Sequence, residues 1–176
     1  MLGKTAAHIF WMFRYLERCE NTARLINASH FISLTQKQNI ANHWDSILNV
    51  AGNKKTFLLK YGAINKSAVI NFILRDKTNP SSVLSSIENA RQNARIVRNN
   101  LTKELFETIN ETYLKLSEIF RRPINEKNLL NTLSTIRTKC QLTRGTLHGT
   151  MLRDDTYIFA RMGSFIERAD NTSRIL

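Results

Sequence analysis

The chain has 176 residues, a formal net charge of +12 at pH 7 and 42% hydrophobic residues. This length suits one domain, residues 1–176, with a core that needs no disulfide or metal. No segment approaches the ~20 apolar residues of a membrane span, and the apolar stretch at Ile9 to Phe13 lacks the flanks of a secretory signal. We therefore expect a cytoplasmic protein with no membrane partner, whose Cys19 and Cys140 are buried, reduced thiols.

Apolar residues recur at steps of three and four, which predicts an all-α fold, a bundle of long antiparallel helices. The first helix is predicted from Thr5 to Ser33. Shorter helices follow at Ala41–Ala51 with Gly52 as cap, at Thr56–Tyr61 closed by Gly62, and at Lys66–Arg75. The apolar seam of the first helix has steps of 4, 3, 4 and 3: Met12, Leu16, Cys19, Ala23 and Ile26.

The middle of the chain predicts one long helix. Asn79-Pro80-Ser81 is typical of a helix start, with Asn79 as the cap and Pro80 at the first helical position. An apolar stripe from Ile87 to Leu105 continues this helix to about Arg121, with a bend near Asn99-Asn100.

Two more helices are predicted to complete the chain. One covers Asn125–Thr143 and ends in a loop that contains Gly145 and Gly149. The last begins near Asp154-Asp155, whose charge suits a helix N-terminus, and runs to the final residue. Its apolar seam repeats the steps of the first helix: Met162, Ile166, Ala169, Ser173 and Leu176.

One polar octet occurs twice. Residues 17–24 are ERCENTAR and residues 167–174 are ERADNTSR, and the flanking apolar residues match in the same register. This internal repeat predicts that the first and last helices are related and that they pair near the two octets.

Three interpretations of the octets remain open. In the first, they form surface ion pairs such as Glu20–Arg24, each worth about 0.3–0.5 kcal/mol. In the second, they form a buried network that fixes how the helices pack. In the third, they form a ligand-binding or catalytic site, because Arg binds carboxylate and phosphate bidentately. Arg91 and Arg95 either complete an anion pocket or stay solvated. The candidate site residues are Glu17, Arg18, Asn21, Arg24, Glu167, Arg168, Asn171 and Arg174, with Arg91 and Arg95 as second choices.

Three motifs in order resemble the Alpha-E family, a bacterial all-helical domain of unknown function named for its Glu-Arg motif. The resemblance spans essentially the whole chain. The matching residues fall into an opening motif of Trp11, Arg14, Glu17, Arg18 and residues 20–24, a middle motif of residues 88–91, Ala94, Arg95, Arg98, Glu104 and Glu107, and a late motif of residues 150–155, Gly163, residues 167–170 and Arg174.

The chain departs from the family pattern at two positions and in length. Phe13 stands where the family usually has Gly, and Ser164 where it usually has Arg. Family domains continue past the second Glu-Arg motif, so the resemblance implies a domain that is incomplete at its C-terminus. Apolar surface left exposed by missing helices favours self-association, which makes a homo-oligomer an expectation.

The resemblance implies a setting for the function. Alpha-E proteins are similar to partners of ATP-grasp-type ligases and of transglutaminase-like peptidases. We therefore expect a non-catalytic accessory or binding component of a peptide-ligation system. An enzyme that acts on amide or peptide substrates through Glu17 or Glu167 is the alternative, and a basic RNA-binding module is the second alternative.

The basic excess is concentrated in the middle of the chain. Lys54, Lys55, Lys60 and Lys66 form one cluster, and Arg91, Arg95 and Arg98 another. Such a patch binds nucleic acid or anionic lipid in some proteins. A solvated lysine-rich face is the more common meaning, so nucleic acid is not the expected partner.

No metal or cofactor is expected. The four histidines are His8, His30, His43 and His148, and no two have the i, i+4 spacing of a helical metal site. Asp154 and Asp155 resemble an acidic metal-binding pair, but two acids at a helix start are the more common meaning.

Overall fold

The computed structural model describes residues 2–35 and 40–176. Within these ranges the chain forms eight α-helices and no strand, which confirms the all-α prediction. The helices are α1 (Gly3–Thr35), α2 (Ile40–Val50), α3 (Lys54–Tyr61), α4 (Lys66–Leu74), α5 (Val83–Ile96), α6 (Lys103–Ile119), α7 (Glu126–Thr150) and α8 (Asp155–Ile175).

Helix α1 is the central element and packs against α5, α7 and α8. All five residues of its predicted seam are buried. Helix α5 runs antiparallel to α1, because His8 contacts Asn93 at one end and Cys19 contacts Val83 at the other. The short helices α2 to α4 lie close to their predicted positions, and Gly52 and Gly62 both have φ near +70° in the turns that follow α2 and α3.

The predicted long helix from residue 79 to 121 is wrong. Helix α5 begins at Val83 with Ser82 as its cap. Asn79 is not the cap, because its buried side chain donates to the backbone oxygen of Phe72 on α4 and accepts from the backbone N–H of Ser81. Helix α5 then ends at Ile96. Thr102 caps a separate helix α6, and α5 and α6 pack as an antiparallel hairpin.

The predicted loop at Gly145 and Gly149 is also wrong. Both glycines lie inside α7, which continues to Thr150. A Cβ atom at either position would meet no other atom within 4 Å, so neither glycine is needed for a turn or a close approach. The buried face of α7, from Leu129 to Leu147, holds the helix in place despite the low helix propensity of glycine.

Helix α8 begins at Asp155 with Asp154 as its cap, as predicted, but its predicted seam is exposed. Met162 and Ile166 are 42% and 44% exposed. The buried face consists of Thr156, Ala160, Gly163 and Glu167. This shift arises because α8 lies at the edge of the bundle, where it packs mainly against α1, whereas α1 is surrounded.

One helix pairing differs from the sequence expectation of antiparallel helices. Helix α8 runs parallel to α1, although the other long neighbours are antiparallel: residues 5 and 156 line one cleft, and Glu167 contacts Arg14 and Arg18. The cysteines, distant in sequence, are neighbours in the core. Both thiols are free and buried, and the contact with Cys19, together with burial, raises the pKa of Cys140 well above its usual range.

Candidate functional site: a Glu–Arg centre between the first and last helices

The parallel packing of α1 and α8 places the two octets side by side. Gly163 allows this close approach, because a Cβ atom there would lie 2.2 Å from the carbonyl oxygen of Phe10. The buried positions of α8, residues 156, 160, 163 and 167, correspond through the repeat to residues 6, 10, 13 and 17 of α1. The two helices therefore meet through equivalent faces at the same height.

The Glu-Arg pairs of the two octets bind each other reciprocally. Arg18 of α1 holds Glu167 of α8 with both arms of its guanidinium, at 2.6 Å from Nε to Oε1 and 3.0 Å from Nη2 to Oε2. In the opposite direction, Arg168 of α8 donates to Oε1 of Glu17 at 3.0 Å. We call this arrangement and its surrounding ion pairs the Glu–Arg centre.

Further arginines on α1 and α7 complete the centre. Arg14 donates to Oε2 of Glu167 at 2.7 Å. Arg144 of α7 lies 3.2 Å from Oε2 of Glu17 and also donates to Glu20. Glu20 accepts a second guanidinium from Arg24, at 2.7 Å. The side chains of the three glutamates are 4% exposed or less, so the centre matches the buried-network interpretation rather than simple surface pairing.

Charge partners govern the protonation of the centre. Burial by itself raises the pKa of Glu20, but hydrogen bonds and charge from Arg24 and Arg144 outweigh it and leave the pKa below its ordinary value. Burial alone lowers the pKa of Arg18, and Glu167 outweighs that effect and raises it. The hydrogen bond to Glu17 raises the pKa of Arg168. Glu20, Arg18 and Arg168 are therefore ionised at neutral pH.

A cavity of about 120 Å³ adjoins the centre. It lies between α1, α8, the turn after α2 and the turn before α5. One water occupies roughly 10–15 Å³ of such a volume, so the cavity has room for a group of several heavy atoms. Its polar lining residues are Arg18, Thr22, Asn53, Asn79, Ser81, Glu167, Asp170, Asn171 and Arg174.

Arg174 forms the outer edge of this cavity. Its guanidinium is bound to Asp170, with Nε 3.2 Å from the carboxylate, and it reaches over the turn after α2. A Cβ atom on Gly52 would lie 3.0 Å from its Nη1. The side chain of Arg174 is 48% exposed, so its guanidinium is accessible from solvent.

The remaining predicted site residues are placed differently. Asn21 is buried beside the centre, and its amide nitrogen has no hydrogen-bond partner among the described residues. Asn171 lines the cavity. Arg91 instead binds Oδ1 of Asn110 at 2.7 Å and lies over Tyr113, and Arg95 is exposed. These two arginines on α5 face α6 or solvent and contact neither octet.

Sequence reasoning did not include Arg14, Glu20 or Arg144 among the candidate site residues. Arg14 stands four residues before Arg18, a spacing that places it on the same face of α1 and was available from the sequence. Arg144 was missed because α7 was predicted to end at Thr143, which placed this arginine in a loop. Its four-residue step from the buried Cys140 was the signal.

The two departures from the family pattern lie together. Phe13 and Ser164 both line a small cavity of about 10 Å³, next to Glu17 and Arg144. That volume is at or below the space of a single water. The Phe13 ring is buried here, and the short Ser164 side chain leaves room for it.

The described part of the chain contains no cluster of three or more His, Cys, Asp or Glu residues that could hold a metal ion. Over residues 2–35 and 40–176, no helix is both long and apolar enough to cross a membrane.

Fold and site together define an all-helical domain organised around two Glu-Arg pairs from its first and last helices. The chain belongs to the Alpha-E family, described as a predicted alpha-helical domain with a conserved ER motif, whose model matches residues 1–176. The chain has Glu-Arg pairs at residues 17–18 and 167–168. No curated protein matches the chain, and no solved structure matches it.

Proposed function

We propose that this domain is a non-catalytic accessory component of an ATP-grasp-associated peptide-ligation system, and that it binds an anionic, peptide-like group beside the Glu–Arg centre. The association with a peptide-ligation system rests on the family resemblance. The binding role rests on one observation, the polar cavity that opens between Arg18 and Arg174.

The charge balance supports an anionic ligand. Across the Glu–Arg centre and the adjoining Asp170–Arg174 pair, six guanidinium groups accompany four carboxylates, an excess of two positive charges, whereas the charged residues that line the cavity itself are two arginines and two acids. The arginines are Arg14, Arg18, Arg24, Arg144, Arg168 and Arg174, and the acids are Glu17, Glu20, Glu167 and Asp170. Arginine is suited to a carboxylate because its planar fork matches both oxygens. The asparagine and serine side chains of the cavity offer hydrogen bonds to a peptide amide.

The enzymatic alternative has less support. A general base needs a carboxylate oxygen that can reach a substrate proton. Both oxygens of Glu17 and both oxygens of Glu167 accept hydrogen bonds from arginines. These contacts suit glutamates that hold the helices together better than glutamates that move protons.

The cavity is tested with a dipeptide. N-acetyl-Ala-Glu with a free C-terminal carboxylate and the same dipeptide with both carboxylates amidated are titrated by calorimetry against the protein, Arg174→Ala and Arg122→Ala. Arg122 is an exposed residue of the loop before α7, so both variants lose one positive charge. We expect the acidic dipeptide to bind the protein and Arg122→Ala equally, and Arg174→Ala about tenfold more weakly because a charge-assisted hydrogen bond is lost. Equal weakening in both variants, or equal binding of both dipeptides, would contradict an anion site in this cavity.

The setting is tested separately. The tagged protein and Arg174→Ala are used to recover partners from nuclease-treated native extract, and captured proteins are identified by mass spectrometry. Recovery of an ATP-grasp-type ligase or a transglutaminase-like peptidase supports the accessory role. Recovery of neither, alongside normal dipeptide binding, contradicts that role and leaves a stand-alone binding domain.

A further inference from the structure

A second polar cluster lies outside the Glu–Arg centre, where α7 ends and α8 begins. It links four side chains in a row: Arg153, Tyr157, His148 and Arg161. Arg153 donates to the hydroxyl oxygen of Tyr157. That oxygen is 2.8 Å from Nδ1 of His148, and Nε2 of His148 is 2.8 Å from Nη1 of Arg161. We call these residues the α7–α8 corner.

The direction of the hydrogen bonds follows from the chemistry of arginine. A guanidinium only donates, so Nε2 of His148 accepts from Arg161. The neutral ring then carries its proton on Nδ1 and donates it to Tyr157. The Tyr157 oxygen thus accepts from both His148 and Arg153, which leaves its own O–H to donate elsewhere. The donors that are not used within the row are the Tyr157 hydroxyl and the remaining N–H groups of the two arginines.

The positive charge of the corner has no carboxylate partner within residues 2–35 and 40–176. The partners of Arg153 and Arg161 there are a phenol, an imidazole and the rings of Tyr157 and Phe165, at 4.3 and 4.5 Å from the guanidinium carbons. The acids nearest in sequence are Asp154 and Asp155. Asp154 caps α8, and Asp154 and Asp155 line a cleft with residues of the N-terminal end of α1.

We propose that the α7–α8 corner binds a phosphate-type oxyanion, held by Arg153 and Arg161 from either side and by the Tyr157 hydroxyl between them. Such an anion accepts hydrogen bonds through all its oxygens, which matches a surface that only donates. The aromatic rings keep the two guanidiniums in place without neutralising them. This proposal does not depend on the cavity beside the Glu–Arg centre.

The protonation of His148 agrees with this arrangement. Its position in the last turn of α7 by itself favours the charged ring. Burial and then the charges of Arg161, Arg153 and Arg144 outweigh that effect and lower the pKa of His148. A bound anion opposes these three charges, so its arrival raises the pKa of His148. This coupling provides a readout at one identifiable ring.

The test is a titration of the whole chain at constant ionic strength, followed by NMR of the His148 ring and of the backbone. Inorganic phosphate, pyrophosphate and ATP are compared, to separate free phosphate from phosphorylated small molecules. Sulfate, whose charge is constant near neutral pH, is used for the pKa measurement. The variants are Arg161→Gln, Tyr157→Phe and Arg121→Gln. Arg121 is exposed on the loop before α7, so it provides a matched loss of one charge.

We expect saturable shifts at the corner, an increase of the His148 pKa with sulfate, and affinity reduced about tenfold in Arg161→Gln but unchanged in Arg121→Gln. Tyr157→Phe keeps the aromatic ring but loses the central hydroxyl donor, so we expect it to keep its fold and to bind the anion more weakly. If Arg161→Gln does not fold, Tyr157→Phe alone tests the site. Equal affinity in Tyr157→Phe and the unaltered chain, equal losses in Arg161→Gln and Arg121→Gln, or shifts confined to Arg18 and Arg174 would overturn the proposal.

Discussion

At the scale of single residues, the Glu–Arg centre works through reciprocity. Glu17 of the first octet is held by Arg168 of the second, and Glu167 of the second by Arg18 of the first, so the two helices cannot separate without exposing a buried charge. Buried ion pairs contribute little net stability, because desolvation offsets their attraction, but removal of one partner is costly. The centre therefore specifies which faces of α1 and α8 meet, more than it adds to stability.

This reciprocity predicts the effect of Glu167→Gln. The substitution leaves Arg14 and Arg18 close together without their shared carboxylate, and we expect the free energy of unfolding to fall by about 3 kcal/mol. Urea denaturation monitored by circular dichroism measures it. Glu118→Gln is the control, since Glu118 is an exposed partner of Lys115 and is expected to change stability by less than about 0.5 kcal/mol. If Glu167→Gln and Glu17→Gln are as stable as this control and bind ligand normally, the centre has no role.

At the scale of helices, two glycines with opposite requirements test the packing. Gly163→Ala places a methyl group against the backbone of α1, and we expect a loss of about 3 kcal/mol from overpacking. Gly145→Ala fills open space on an exposed face of α7, and we expect a gain of about 0.5–1 kcal/mol from helix propensity. Thermal and urea unfolding of both variants measures these changes. Stabilisation by Gly163→Ala would show that α1 and α8 do not approach closely.

The short helices are joined by a polar cluster that predicts a pH dependence. Asp76, after α4, accepts from Lys60 at 2.6 Å and from Tyr61 at 2.7 Å, both on α3. Burial by itself raises the pKa of Asp76, but Lys60, Tyr61 and Thr78 outweigh it and hold that pKa well below its usual range. Burial and the hydrogen bond to Asp76 raise the pKa of Tyr61 to about 12.

The signs follow from proton binding. The unfolded chain protonates Asp76 at a higher pH than the folded chain, so this contribution is complete above the ordinary carboxyl pKa of about 3.9 and is lost as the pH falls below it. Folded Tyr61 keeps its proton longer than the unfolded chain, so its contribution is lost as the pH rises from about 10 to about 12.

Denaturation across a pH series measures both effects. We expect Asp76→Asn to be less stable at neutral pH and to lose stability less steeply in acid than the unaltered chain. Tyr61→Phe is expected to reduce the loss of stability as the pH rises from about 10 to about 12. The exposed Glu107→Gln serves as the control for the acid limb. An acid limb unchanged in Asp76→Asn would show that this cluster does not form.

At the scale of the whole molecule, the net charge of +12 is not concentrated in an exposed patch of unpaired lysines. Three of the four lysines in the cluster at residues 54–66 are paired with acids: Lys54 with Asp45, Lys60 with Asp76 and Lys66 with Glu126. Local pairing of this kind reduces the field available to a polyanion. The structure therefore gives the RNA-binding alternative little support from the cluster on which it depended.

We expect binding to single-stranded RNA to be non-specific, with a Kd of about 10⁻⁴–10⁻⁶ M at physiological salt and a steep decrease as salt rises. Fluorescence anisotropy with Lys55→Gln and Lys127→Gln measures it, since both lysines are exposed and only Lys55 belongs to the cluster. The two variants are expected to lose affinity equally. Tight binding that Lys55→Gln alone abolishes would restore the nucleic-acid interpretation.

The sequence by itself determined most of the helices, the octet repeat and the family. Helix periodicity and caps are local, so Asp154 and the seam of α1 were sufficient to place their helices. Local signals failed where a distant contact decided the outcome. Asn79 is a residue type that often caps a helix, but its side chain binds the backbone of Phe72. Gly145 is a residue type that is common in loops, but it lies in α7, which is held in place by its buried face.

Only the tertiary structure decided how the repeated helices meet. The repeat gave α8 the same apolar seam as α1, but α1 is surrounded by neighbours and α8 packs mainly on α1. Gly163 lets the backbones approach on a different face, and the parallel register then places Glu17 against Arg168 and Arg18 against Glu167. Arg144 joins them from a third helix and contacts Glu17 and Glu20, each more than 120 positions away along the chain. Side-chain periodicity fixes which face of a helix is apolar, but the partner of that face depends on close packing between segments that are remote in sequence.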